Sequence, residues 1–288
     1  MNKGLRLVVT IVGLLAAYYI LQTLFVSLAK ELYVNIASNA GDIPADAVDF
    51  IYNEKYLKDH PALQECLTNA MALGTLLSTV SMLLFIHFAG YYKLRSGLWR
   101  SVVPRPLLIS TLLVFSSMFA LNIFVQWFPL EDNLSDVFSG LSHNVLGVLG
   151  LAVLAPLLEE VLFRGAIQGL LMRFLGRPWP AIIIAALVFG VIHWNPVQVV
   201  YATLFGVVLG WIYYRTGSLM YVIVGHVLNN TLAVITTIQD SGNVNVSEES
   251  EAGSSVGIVS FLLFVLLSVY LAIKLNRSLP PAGLEGEN

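Results

Sequence analysis

Three ionisable side chains, Glu159, Glu160 and Arg164, interrupt LAVLAPLLEEVLFRGAIQGLLMR (residues 151–173), a stretch that otherwise reads as helix buried in hydrocarbon. Each such group costs roughly 2.5–3.5 kcal/mol at the centre of a membrane helix, so three together need partners and point to a function. Glu160 and Arg164 are four residues apart, on one helical face, where an ion pair can form. Glu159 lies about 100° round the helix and is free to face elsewhere. Two later apolar runs each carry an imidazole with a companion one turn away: Phe189 with His193, and His226 with Asn230.

The chemistry such a group can do is hydrolysis. A carboxylate partly removed from water is suited to take a proton from a water molecule, and an imidazole on a facing helix can hold or polarise that water. A second imidazole and a carboxamide can donate hydrogen bonds to the oxyanion that develops on a scissile carbonyl. The residues are assigned accordingly: Glu159 and His193 activate water, His226 and Asn230 form the oxyanion side, and Glu160, Arg164 and Phe189 support them. Glu159, His193 and His226 would also be enough protein ligands for a catalytic zinc ion, but the contiguous HExxH arrangement is absent. The reading prefers hydrolysis without a cofactor and keeps zinc as the alternative.

The elements that must position these groups are membrane spans. The chain is 57% hydrophobic and only 11% charged, with a mean hydropathy of +0.78, where a water-soluble domain carries about a quarter of its residues charged. An all-α polytopic membrane protein of about eight transmembrane helices is expected. The first run, residues 7–30, is long enough to cross a bilayer and lacks a small-x-small cleavage site, so it reads as a retained span. Further spans are expected at about 66–90, 106–129, 145–172, 179–192, 197–214, 218–237 and 256–273. Pro178 and Pro180 punctuate one turn; Pro196 marks either a tight return or a kink.

Threaded this way, Lys93, Arg95, Arg100 and Arg105, then Arg173 and Arg177, Arg215, and Lys274 and Arg277 all fall on the side of the N-terminus. The acidic loops fall on the other side: Glu31, Asp42, Asp46, Asp49, Glu54, Asp59 and Glu65 against Lys55 and Lys58, then Glu131, Asp132 and Asp136, then Asp240, Glu248, Glu249 and Glu251. Both termini are therefore expected in the cytoplasm of a bacterial cell, with the chain in the inner membrane. At 1.5 Å per residue, Glu159 stands about 21 Å above Arg173, His193 about 21 Å above Trp179, and His226 and Asn230 about 16 and 22 Å above Arg215. One layer can hold them all.

The motifs carry a resemblance. Glu159-Glu160-Val161-Leu162-Phe163-Arg164 matches EExxxR, Phe189 to His193 matches FxxxH, and His226 to Asn230 matches HxxxN, in that order. The chain thus resembles the CPBP family of intramembrane proteases, which includes the CAAX prenyl endopeptidases of Rce1 type and the bacterial Abi proteins. The resemblance implies a multi-helix glutamate-type endopeptidase core at 145–236, flanked by a three-span region at 1–144 and by a loop, last span and tail at 237–288. It implies water activation by Glu159 and His193, an oxyanion site lined by His226 and Asn230, and support from Glu160 and Arg164.

Plainer readings stand beside these. Glu160 and Arg164 can be a structural pair, His193 a helix cap beside Trp194 and Asn195, and His226 and Asn230 interhelical glue. Asn229 reads as packing or capping, and Gly206 and Gly210 as a small-xxx-small seam for close helix approach. The aromatic groups at 91–92, 99, 179 and 211–214 read as interfacial belts. The single cysteine, Cys66, excludes an intrachain disulfide and reads as an ordinary buried residue. The expected partners are a peptide or membrane-protein substrate and the lipid bilayer. No basic patch suggests nucleic acid. An ion-coupled transporter and a non-catalytic membrane adaptor or immunity protein are the competing functions.

Overall fold

The structure, a computed structural model, describes residues 2–43, 59–92, 102–242 and 253–279, apart from the side chains of 240–242. Lys93, Arg95 and Arg100 of the basic loop, Trp99, and the acidic-loop residues Asp46, Asp49, Glu54, Lys55, Lys58, Glu248, Glu249 and Glu251 lie outside the described residues. All regular secondary structure among the described residues is helical: α1 (Lys3–Ala40), α2 (Pro61–Phe88), α3 (Pro104–Val125), α4 (Ser135–Ser142), α5 (Val145–Leu175), α6 (Pro178–Val191), α7 (Pro196–Thr216), α8 (Met220–Gly242) and α9 (Ser255–Ser278).

Seven of these are long and apolar enough to cross a membrane, so the chain is a polytopic α-helical membrane protein. The fifth expected span is shorter than the rest. Helix α6 has 14 residues, about 21 Å against a hydrocarbon thickness of about 30 Å, because the chain leaves the helix at Ile192 and Pro196 begins the next one. Pro196 therefore makes a tight return rather than a kink. Proline opens α2, α3, α6 and α7 in the first turn, where its missing N–H would have had no helical partner. Gly176 and Gly217 close α5 and α7 with φ of 61° and 67°, a backbone that costs a glycine nothing.

Helix α1 lies along α2, and α6 pairs with α7. Helix α3 packs against α7, α8 and α9, while α5 threads between α2, α6, α7 and α8. The core forms where α5 meets its neighbours: Val161, Leu162, Phe163, Ala166 and Ile167 are wholly buried against Phe189, Phe205, Leu209 and Val222. Helices α1 and α9 leave most of their apolar surface outward, as lipid-facing helices do. Cys66 is buried, as expected, in a small cluster with Val34, Leu63 and Leu67.

Helix ends are tied together. A guanidinium nitrogen of Arg215 donates to the Asn276 carbonyl at 3.2 Å, and the Val103 backbone N–H donates to the Tyr221 hydroxyl at 2.9 Å. Elsewhere, the buried Asn195 amide donates to Asp132 at 2.8 Å, and Asn144 donates to Asn69.

Candidate active site

The site begins with an irregular helix. Pro156 sits inside α5 and has no backbone N–H, and the turn ahead of it, Gly150–Leu154, opens into a π-helix. The Ala155 N–H reaches back five residues to the Gly150 carbonyl, so the next donor in that pattern would be Pro156. The Leu151 carbonyl thereby loses its backbone partner, and Asn230 of α8 fills the vacancy, its Nδ2 donating at 3.0 Å.

A second π segment, Glu160–Gln168, starts within the acidic pair and is buried throughout. Glu160 has no exposed surface, and its Oε1 receives two donors: Arg164 Nη1 at 2.9 Å and His226 Nδ1 at 2.6 Å. The imidazole then turns its Nε2 toward Glu159 Oε2, 3.6 Å away. His226 thus stands between consecutive glutamates, joined to one by a hydrogen bond and close to the other. Glu159 keeps 14% of its side-chain surface exposed, whereas Glu160 keeps none.

Phe189 is the hub of the aromatic lining. The Arg164 guanidinium lies over its ring at 4.4 Å, while Phe163, His193 and His226 pack round it with ring centres at 5.0, 5.0 and 6.0 Å. Phe205 meets His226 edge-on at 5.4 Å. His193 lies just beyond the end of α6, and its Nδ1 is 2.8 Å from the Phe189 carbonyl. A carbonyl only accepts, so Nδ1 is the donor, and in the neutral ring Nε2 keeps a lone pair. The expected helix-capping contact and the expected base are therefore compatible uses of the same ring.

Asn229 does more than pack. Tyr201 of α7 donates to its Oδ1 at 2.6 Å, and its Nδ2 donates to Asn230 Oδ1 at 3.0 Å. The Asn230 amide is consequently fixed at both ends, oxygen toward Asn229 and nitrogen toward Leu151.

The glycine seam of α7 lets α6 approach closely, a Cβ on Gly206 lying 3.2 Å from the Ala186 Cα, and its carbonyls also receive side chains. Arg164 reaches the Gly206 carbonyl at 3.4 Å and Gln168 the Gly210 carbonyl at 2.9 Å. A Cβ on Gly210 would come within 2.8 Å of the Gln168 side-chain oxygen.

The structure gathers Glu159, Glu160, Arg164, His226 and Phe189 directly, brings His193 in beside the Phe189 ring, and ties Asn230 to the same helix as the glutamates. It adds residues that the motif reading missed: Gln168, Tyr201, and Tyr18 of α1, which lies within electrostatic reach of Glu159. Gln168 was readable as the next step of the Glu160–Arg164 stripe; the tyrosines were not. Among the described residues no three His, Cys, Asp or Glu side chains are grouped so as to hold a metal ion, and Glu159, His193 and His226 do not form such a set.

Residues 141–232 match the family model described as type II CAAX prenyl endopeptidase Rce1-like. No curated protein and no solved structure matches the chain.

Proposed function

Over residues 141–232 this chain belongs to the Rce1-like family of type II CAAX prenyl endopeptidases, and on that premise we propose that it hydrolyses a peptide bond at the glutamate–histidine cluster without a metal ion. The observation that carries the reading is the contact of one buried imidazole with both carboxylates, at 2.6 and 3.6 Å, inside the matched segment.

Two carboxylates and a guanidinium leave one negative charge, and a single proton held between His226 and Glu159 neutralises the group. In a low-dielectric interior a neutral cluster avoids the large cost of an unpaired buried charge. With the proton on His226, Glu159 is free to act as base. It takes a proton from a water molecule whose other hydrogen is directed by the Nε2 lone pair of His193. The water oxygen bonds to the scissile carbonyl carbon, and the carbonyl electron pair moves onto oxygen. The cluster then carries one positive charge against one developing negative charge. His226 Nε2–H and the remaining Asn230 amide hydrogen donate to that oxyanion. As the C–N bond breaks, the proton on Glu159 passes to the departing amine.

Glu160 and Arg164 stay out of this transfer. Glu160 orients the His226 ring by accepting its Nδ1–H, as orienting carboxylates do for catalytic histidines, and Arg164 in turn donates to the same carboxylate oxygen. The substrate is a protein or peptide, and the distribution of basic residues supports a proposal that both termini lie on the cytoplasmic side of a bacterial inner membrane.

The test is cleavage of a broad peptide mixture by purified protein, wild type and Glu159→Ala, each with and without chelator. Turnover by wild type in both conditions and none by the variant is expected. Full turnover by Glu159→Ala would remove the proposed base, and loss with chelator restored by zinc would replace the metal-free route.

A further inference from the structure

The turn that carries His193 lies inside the matched segment, residues 141–232, yet in space it is held by residues from outside that segment. The Tyr19 hydroxyl of α1 donates to the Ile192 carbonyl at 2.7 Å and accepts from the Trp194 indole N–H at 2.8 Å. These are the two neighbours of His193, and one oxygen grips both. Trp194 has φ of 53°, the left-handed region that a bulky side chain rarely enters, so its backbone is held against a local preference. On the far side of the turn, Asn195 is wholly buried and donates to Asp132 in the α3–α4 connection. Tyr18, stacked edge-on against Tyr19 with ring centres 5.3 Å apart, lies within electrostatic reach of Glu159.

We propose that Tyr19 is a positioning residue for His193, and that the first span is therefore part of the catalytic apparatus rather than a lipid-facing addition to it. The inference rests on the peptidase reading above. The His193 ring is fixed at one atom by the Phe189 carbonyl, and the backbone on which it rides is fixed by Tyr19. Removing the phenol oxygen frees the Ile192 carbonyl and the Trp194 indole together, and the left-handed Trp194 relaxes. His193 Nε2 then spends less time where it meets the water shared with Glu159. The expected loss falls on the chemical step.

The experiment compares full-length wild type, Tyr19→Phe, Trp194→Phe and the double variant, with Tyr270→Phe of α9, an exposed ring, as control. Two readouts are taken: kcat and KM for the best peptide from the mixture above, and the rate at which diethyl pyrocarbonate modifies His193, measured by peptide mass. Tyr19→Phe is expected to lower kcat about tenfold at unchanged KM, in line with the sensitivity of catalysis to small misplacements, and to change the His193 labelling rate. Trp194→Phe should lose less, and the double variant no more than Tyr19→Phe alone. Wild-type kcat and wild-type labelling in Tyr19→Phe would overturn the proposal even with Glu159→Ala inactive. If wild type cleaves nothing, the peptidase reading fails by itself; an altered labelling rate then still supports the clamp, and an unaltered one sinks it.

Discussion

Glu160 and His226, 66 residues apart in the chain, share a 2.6 Å hydrogen bond at a carboxylate oxygen that also receives Arg164 at 2.9 Å. One oxygen therefore answers two donors in a place without solvent. Glu160→Gln keeps the shape but leaves the guanidinium uncompensated. Breaking a buried pair in this way costs about 3–5 kcal/mol. Thermal unfolding in detergent should show a clear drop for Glu160→Gln, with cleavage lost as well, and partial recovery of stability, though not of activity, in Glu160→Gln/Arg164→Met.

Glu159 differs from its neighbour in what it touches. It approaches His226 at 3.6 Å, and part of its side chain is exposed. Glu159→Gln should consequently unfold at the wild-type temperature while cleavage falls by at least about 10²-fold, the contribution typical of a general base. The contrast between adjacent glutamates is the sharper test: equal losses of stability in the two variants would contradict the division of labour proposed for them.

The oxyanion arm can be probed without touching Asn230. Tyr201→Phe leaves Asn229 Oδ1 without its donor, and Asn229→Ala leaves Asn230 Oδ1 without one. Either change lets the Asn230 amide rotate away from the orientation set by Leu151. A kcat loss of about tenfold is expected for each, against about 10²–10³-fold for Asn230→Ala, the range for removal of an oxyanion donor. Initial-rate kinetics on the four proteins gives the order.

The polar residues announced the site because each is costly in hydrocarbon; Glu159, Glu160, Arg164, His226 and Asn230 stand out of apolar runs, and helical rise allows them one layer. Membrane spans were legible from the same contrast, down to the proline at which α7 restarts. Three things were not. A regular 3.6-residue period cannot foretell a π turn, so the pairing of Asn230 with the Leu151 carbonyl required the backbone. Asn229 reads as packing or capping because it leaves the Asn230 face by a full step, yet a short side-chain bridge closes that gap. Tyr19 meets Ile192 across 173 positions, and a tyrosine in a first span looks like any interfacial aromatic until the fold brings the turn to it.

Gly190 offers a last test of how closely α6 must sit on α7 for His193 to work. It lies in the FGVIH stretch, and its carbonyl accepts the His193 backbone N–H at 3.1 Å. A Cβ added there would collide with the Thr203 hydroxyl and lie 2.7 Å from the Val199 carbonyl. The first obstacle is a side chain that can be trimmed; the second is the backbone of α7 and cannot. Gly190→Ala should therefore push the helices apart, costing about 1–3 kcal/mol as overpacked cores do, and should lower kcat because the turn holding His193 moves with α6. Adding Thr203→Ala relieves the hydroxyl but not the carbonyl, so stability should recover only in part. Gly13→Ala, where a Cβ meets nothing within 4 Å, should be neutral or slightly stabilising in the same detergent melt. Full recovery in Gly190→Ala/Thr203→Ala would mean that α7 yields at Val199, and that the spacing between the two helices does not set the position of His193.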